Sequence, residues 1–434
     1  MNVQWENEQE KDTIILPSTL NNNLVNNVIN VQLGSCHKNM KVQFSNEESN
    51  ESIQLPNHFT DQITLPINLP FDSKLENNIL NIGPVIGFLL CNKKEDLEPL
   101  LADDFDDYVH NYEEVRGLIY AFSSEGIDLK TKTIEGYYLD PTDPMNCWKE
   151  GVFPYPSALY RRTLIPSKIL SELETVIGMD RIFNTRYYHK WDLYKLLNKH
   201  SNILKYFPET KQFNNEQVLA YMLNKYSSVY FKPINGTYGH GICKIERVSK
   251  GYQLIKRSSE IEEIQTFKEL FNYLESKVKK GSYIIQQDVA FQKQGKNIDF
   301  RMMVQKNQKR KWNCNAFIAR FGEKKKIYTN DPSDVQDGYM ALQSMFQLTD
   351  EELRWKEQEI CSICKDIGKT FDQYGHYADL GIDLTVDKNM NVWILEINHL
   401  FQDHDMAAYL NDEYKTYEKV LSTLLDYLKT LAGF

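Results

Sequence analysis

Residues 378–400 read ADLGIDLTVDKNMNVWILEINHL, two apolar runs joined by a polar turn. The pattern predicts a β-hairpin with strands over 377–386 and 392–400. Asp383 and Glu396 lie symmetrically about a turn centred between Asn389 and Met390, so antiparallel pairing sets them face to face. Asn398 stands two residues past Glu396 and shares its face. Ile382, Leu384, Ile394, Leu395 and Ile397 predict buried strands rather than a solvated hairpin. Two carboxylates directly opposite repel unless a cation lies between them. Hard oxygen donors of this kind suit Mg2+, which takes one or two carboxylates together with substrate phosphates.

Upstream, residues 229–242 read VYFKPINGTYGHGI. This predicts a strand carrying Lys232, a loop with Gly236, Gly239 and Gly241, and a return to strand. Glycines let backbone N–H groups approach a polyphosphate, and a lysine supplies a point charge. Taken alone, the stretch fits a phosphate loop or a plain turn. Further basic residues accompany it. Lys190 opens a predicted helix over 189–201, and Arg301 and Arg320 sit in the apolar runs IDFRMMV and NAFIARF, predicted strands over 297–305 and 312–321. An arginine in an apolar strand needs an anionic partner, either a carboxylate of the chain or a bound phosphate.

In this order the motifs resemble the ATP-grasp superfamily, and more narrowly the YheC/YheD family of endospore coat-associated ATP-grasp proteins. The phrases that carry the resemblance are PYPSALYRR, NTRYYHKWDLYKLL, YFPET, VYFKPINGTYGHGI, YIIQQDV, IDFRMMVQKN, FIARFG followed by YTN, and LGIDLTVDKNMNVWILEIN, in sequence from 155 to 398. The resemblance implies an α+β / α/β chain with an ATP-grasp fold, two α+β subdomains clamping ATP. It implies that Lys190 and Lys232 bind the ATP phosphates and that the loop Gly236, Thr237, Tyr238, Gly239, His240, Gly241 closes over them. Gln286, Gln287 and Val289 would line the adenine edge, and Asp299 would sit near the ribose. Arg301 and Arg320 would hold the transferred phosphate and the acceptor carboxylate, with Asn330 in the acceptor region. Asp383, Glu396 and Asn398 would carry two Mg2+ ions, a role Mn2+ could also fill.

The implied chemistry is carboxylate activation: ATP phosphorylates a carboxylate, and an amine attacks the acylphosphate. The partners would be small-molecule or peptide carboxylates and amines. The chain departs from the family at the acceptor end. TNDPSDVQDGYM holds only Gly338 where a Gly-Gly pair is common, and His399-Leu400-Phe401-Gln402-Asp403-His404 stands where small residues usually lead to a proline. His189 replaces the more usual Asn before the helix-start lysine. His399 and His404 could contact an acceptor or be satisfied core or surface residues. Three functions stay open: a carboxylate–amine ligase, an ATP-binding spore coat-associated structural protein without turnover, and phosphoryl transfer to a non-carboxylate acceptor.

The rest of the chain bounds these readings. It has 434 residues and a net charge of −10. The first 150 residues carry 25 acidic and 10 basic side chains, so the back of the chain is mildly basic, which suits an anionic ligand. The lack of a dense Lys/Arg stripe speaks against nucleic acid. The longest apolar run, 83–91, is too short to span a bilayer. A polar, acidic N-terminus without a secretory pattern and seven scattered cysteines suit a cytoplasmic protein, by resemblance in the mother cell or at the spore coat. Cys361 and Cys364 form one CxxC on a predicted helix, a packed face rather than a zinc site, which needs four ligands. Composition shifts predict four units. Residues 1–81 form a β-rich module that would bind coat proteins, and 82–165 a small open α/β pre-ATP-grasp domain around the buried run 84–90. Residues 166–290 and 291–434 form the two ATP-grasp subdomains.

Overall fold

The structure is a computed structural model and describes residues 2–6, 10–23, 27–45, 51–57, 62–105, 107–108, 112–236, 240–329 and 332–434. Four β-sheets follow one another along the chain. The first has seven strands, from Val3–Glu6 to Ile79–Gly83, in parallel and antiparallel pairs. Thr13–Leu16 and Val28–Leu33 are among its strands, as the β-rich reading of 1–81 requires. Every second side chain of Val28–Leu33 is buried, as in a strand with one face on a core. A short 3-10 helix, Ser18–Asn23, takes in the first asparagines of the Asn-rich stretch that begins at Asn21.

The second sheet is built on Val85–Cys91, whose seven residues are all buried. Leu118–Ser123 and Ala158–Arg161 flank it in parallel, and burial on both faces explains the continuous apolar run. Its last strand, Ile182–Phe183, comes from well beyond residue 165. Trp148–Pro154 pairs antiparallel with Thr133–Leu139. Among its described residues the acidic stretch 97–116 forms the helices Leu97–Asp104 and Tyr112–Val115. The closing helix, Lys415–Leu431, returns to this sheet and buries Val420, Leu421, Leu424 and Leu428 in its core.

The third sheet is antiparallel and runs Thr210–Gln212, Tyr283–Gln287, Ser228–Pro233, Cys243–Val248, Gly251–Lys256, Ile261–Ile264. Helices Glu216–Lys225 and Phe267–Lys277 bury Leu219, Leu223, Leu270 and Leu274 in the core they share with it. The helix predicted over 189–201 is split into Lys190–Leu197 and Ser201–Leu204. The fourth sheet is also antiparallel, in the order Asp334–Asp337, Trp312–Phe321, Lys296–Lys306, Asp379–Val386, Val392–Asn398. The long helix Asp350–Phe371 covers one face with Ile360, Ile363, Ile367 and Phe371. Thr349 and Glu352 start it with reciprocal hydrogen bonds, which satisfy N–H groups that a helix end leaves free. The helix Gly338–Phe346 was not expected, since it is apolar almost throughout and offers no helical period to read. The opposite face is shared: Met303, Ala316 and Ile318 pack in the core that the closing helix joins, and the polar side chains Asp299, Arg301, Arg320 and Asp383 lie on the same sheet.

Candidate active site

Near its turn the final hairpin pairs Val386 with Val392, Thr385 with Trp393 and Leu384 with Ile394, symmetric about Asn389. A one-residue shift at Leu395 then brings Asp383 opposite Glu396 and Gly381 opposite Asn398. The expected carboxylate pairing is therefore present, but a β-bulge produces it, because the turn centre lies half a residue from where symmetry put it. The extra residue also breaks the burial alternation, leaving both Leu395 and Glu396 half-buried.

Three strands of the fourth sheet form a lattice of charge. Asp299 faces Arg320 across one strand pair, and Arg301 faces Asp383 across the other. Arg320 Nε and Nη2 donate to the two Asp299 oxygens at 2.8 Å each, and Nη2 also reaches Asp383 Oδ1 at 3.1 Å. Arg301 forks onto Asp383, its Nε bonding Oδ1 and its Nη2 reaching Oδ2 at 3.0 Å. The Thr329 hydroxyl donates to Asp299. All four charged side chains are buried. Burial works against the Arg320 charge, but Asp299 and Asp383 outweigh it and hold the guanidinium well above its ordinary value. Burial alone would raise Asp383; Arg301 and Arg320 outweigh it and hold the carboxyl below its usual range.

The lysines face this lattice. Lys190, first residue of its helix, donates to Glu396 Oε1 at 2.7 Å and to the Gly236 carbonyl at 3.0 Å. Lys232 donates to Gln286 Oε1 at 2.6 Å, and Gln286 donates on to the Thr210 hydroxyl at 3.1 Å. Burial lowers the Lys232 ammonium to about 8, with Glu396 pulling it up and Lys190 pushing it down. Two cavities meet here, of about 130 and 100 Å3, sharing Lys232, Gln286, Leu395 and Glu396. The larger runs past Lys190 and Asn398 to an aromatic wall that includes Tyr187, Tyr188 and Phe401. The smaller is lined by Gln287, Val289, Asp299, Arg320, Thr329 and Asp383.

The predicted residues thus gather in one cleft, with exceptions. Arg301 lines neither cavity and reaches the site through Asp383. His240 is exposed and lines neither cavity. Gly241 has φ +74°, a conformation glycine adopts without strain. Thr237, Tyr238, Gly239 and Asn330 lie outside the described residues. The residue reading missed Tyr187, Tyr188, Thr210, Thr329 and Leu395. Leu395 has a signal only in retrospect, as the bulge that makes Asp383 and Glu396 meet.

In the segment after Asn398, His399, Leu400, Gln402 and His404 are buried, whereas Phe401 and Asp403 are exposed. His399 is buried, with Nδ1–H donating to the Ile397 carbonyl at 3.2 Å and Nε2 accepting the Tyr188 N–H at 2.9 Å. Its ring stacks on Tyr187. Burial lowers it to about 4, so it is neutral, as this bonding requires. It ties the residues before Lys190 to the end of the Glu396 strand. His404 is buried too and bonds Asp379 at 3.1 Å, beside Tyr160 and Gln305 on the same carboxylate. Both histidines are bonded within the core, and His399 also lines the larger cavity.

Residues 179–431 match the model of the family described as YheC/D-like ATP-grasp. The chain belongs to this family. The match contains every site residue from Lys190 to Asn398, and it makes the fold an ATP-grasp fold. Endospore coat-associated protein YheD of Bacillus subtilis (strain 168) is 22% identical over 411 residues, covering 89% of this chain and 87% of that one. The same organism's endospore coat-associated protein YheC is 26% identical over 218 residues, 48% of this chain and 58% of that one. Among solved structures, the ATP-grasp ligase PsnB complexed with minimal precursor, Mg and ADP aligns with a TM-score of 0.44 at 12% identity, over 80% of this chain and 98% of that one. The D-alanine-D-alanine ligase from Coxiella burnetii gives 0.44 at 13%, over 80% and 95%.

Two carboxylates and an amide at adjoining register positions fit a hard divalent cation. Glu396 is the donor most open to one, 39% exposed and lining both cavities. The repulsion argument, however, does not by itself demand a metal. Arg301 and Arg320 already match Asp383, and Lys190 matches Glu396. Among the described residues no cluster of three or more His, Cys, Asp or Glu suits a metal, and no helix is long and apolar enough to cross a membrane.

Proposed function

We propose that this protein is an ATP- and Mg2+-dependent carboxylate–amine ligase. The observation that carries the proposal is the cleft itself, where Lys190 and Lys232 face Asp299, Arg320, Asp383 and Glu396 around two joined cavities. Gln286, Gln287 and Val289 would take the adenine edge and Asp299 the ribose. Lys190 and Lys232 would exchange their present partners for phosphate oxygens, and the loop 236–241 would close over them. Arg320, with Arg301 behind Asp383, would steady the transferred phosphate and the acceptor carboxylate. Asp383, Glu396 and Asn398 would hold magnesium, which when bound neutralises triphosphate charge.

An acceptor carboxylate oxygen attacks the γ-phosphorus and ADP leaves. The amine nitrogen then attacks the acyl carbon, phosphate leaves, and the nitrogen loses a proton. No covalent nucleophile of the chain is needed; position and fixed charge do the chemistry. Incubation with ATP, Mg2+ and mixed carboxylates and amines tests this. ADP and phosphate release that needs both substrates supports it, and no turnover with any mixture overturns it.

One observation favours a second reading, an ATP-binding coat-associated protein without turnover. The segment that departs from the family pattern is packed, with His399, Gln402 and His404 buried. Saturable ATP·Mg2+ binding with no turnover would select it, and a phosphorylated product without an amide would select phosphoryl transfer. The names of the two relatives support a place at the spore coat, with residues 1–81 as the contact surface; immunodetection in fractionated spores tests that. We also keep domain divisions near 81, 165 and 290, which limited proteolysis checks.

A further inference from the structure

On the strand that carries Arg320, but six residues earlier, Cys314 meets the long covering helix. Its sulfur stands 3.7 Å from the Cys361 carbonyl oxygen, to which it donates, and the two cysteine side chains interact. The Tyr339 hydroxyl lies 3.3 Å from the same Cys361 sulfur. Cys314 and Cys361 are partly exposed, and Cys364, one turn on, is fully buried.

Cysteine sulfurs often pack simply as small apolar groups. Here a thiol and a phenol from two different elements close on one cysteine, Cys314 donating to its carbonyl oxygen and the Tyr339 hydroxyl lying against its sulfur, so that both can turn a proton toward the thiolate. The groups around Cys361 can be named element by element. The strand contributes Cys314, the helix Gly338–Phe346 contributes Tyr339, and its own helix contributes Lys365, which favours the anion, and Glu357, which opposes it. Together they lower Cys361 to about 6, the Cys314 bond foremost, against the opposing effect of burial. The Cys314 thiol is raised, by its interaction with Cys361 and by burial. Cys243 is also partly exposed, but burial pushes its thiol up to about 12.

We propose that Cys361 is a modification site, a nucleophilic sulfur that hydroperoxides oxidise and that Cys314 resolves into a disulfide. The Cys361 sulfur attacks one peroxide oxygen, the O–O bond breaks, and water leaves after protonation, giving a sulfenic acid. The Cys314 sulfur then attacks the Cys361 sulfur, the S–O bond breaks, a second water leaves, and the S–S bond forms. Two thiols have lost two electrons and two protons to one hydrogen peroxide. The bond would tie the Arg320 strand to the helix that covers its sheet. Cys364 does not compete, because it is fully buried.

Brief iodoacetamide treatment of the full chain at pH 7, read by peptide mass spectrometry, should label Cys361 about tenfold or more faster than Cys243. Hydrogen peroxide should yield a peptide pair crosslinked between Cys314 and Cys361. In Cys314→Ser the crosslink should vanish and dimedone should capture the Cys361 sulfenic acid. Tyr339→Phe should slow labelling of Cys361 at pH 7. Labelling of Cys361 no faster than Cys243 in the folded wild type overturns the proposal, whether or not the variants fold. A crosslink between other cysteines overturns it equally.

Discussion

The arginines and lysines of the cleft are held by different means. Arg320 is 2% exposed and shares three bonds with two aspartates, and Arg301 forks onto one of them. Lys190 instead rests on a half-exposed glutamate and a backbone carbonyl, and Lys232 on a neutral amide. The lattice is neutral within itself and shielded from water, so its geometry is set before any ligand arrives. The lysines hold partners that a polyanion can replace at small cost, because exposed pairs contribute little. The fourth sheet would therefore supply position and the lysine side would supply exchangeable charge.

Arg320→Met is the harshest way to break this contrast. Among the described residues it leaves Asp299 with Thr329 and Asp383 with Arg301 as partners, both carboxylates buried. Removing one partner of a buried pair costs about 3–5 kcal/mol, so a large drop in the first denaturant transition is expected. A drop below about 1 kcal/mol would mean that the lattice is more open to water than its burial indicates.

Lys232→Met should show the opposite pattern. It removes a desolvated ammonium whose hydrogen-bond partner among the described residues is the neutral Gln286 amide, so stability should hold or rise. ATP·Mg2+ binding, followed by calorimetry, should weaken by about 10–100-fold, the worth of a charged hydrogen bond. The pH dependence separates the two effects. The folded ammonium loses its proton near 8, and the unfolded one near the ordinary 10.5. Between those values the unfolded chain holds the extra proton, so the wild type gains stability as pH rises from about 8 to 10.5, and Lys232→Met lacks that gain. Nucleotide affinity runs the other way, full below about 8 and falling above it. Glu396→Gln should cost less than about 1 kcal/mol without ligand, since its pair is half-exposed, yet it should abolish the Mg2+ dependence of ATP binding.

The contrast also explains what could be read from residues alone. Arg301 and Arg320 stood out because a charge in an apolar strand has to be explained, and the order of motifs gave the family. Their immediate partners did not stand out: cross-strand register decides that Asp299 meets Arg320 and Arg301 meets Asp383. The Asp383 and Glu396 pairing was legible although the turn centre was misplaced, because the bulge at Leu395 compensates by one residue. The aromatic wall of the larger cavity was not legible. Tyr187 and Tyr188 precede the Lys190 helix, and Phe401 follows the Glu396 strand, so only folding brings them together. His399 looked like an anomaly of the acceptor segment for the same reason, since Tyr188, its partner, is distant in sequence.

His399 offers the smallest but most selective test, because acid should reach the lysine side of the cleft before the lattice. Folded His399 takes a proton only near pH 4, whereas unfolded it does so near 6.5. Its contribution is therefore complete above 6.5 and is lost as pH falls toward 4. Asp383 is held below its ordinary 3.8, so its contribution persists to lower pH and is lost only beneath that value. His399→Gln cannot reproduce both ring bonds and should cost about 1 kcal/mol at pH 7. The gap from wild type should then narrow between pH 6.5 and 4.5, because only the wild type has that histidine to charge on unfolding. His376, lowered to about 4 by burial, is present in both proteins and cancels. A gap that stays constant across this range would mean that His399 does not hold the Tyr188 N–H as a neutral acceptor, and the link from it to Lys190 would fail.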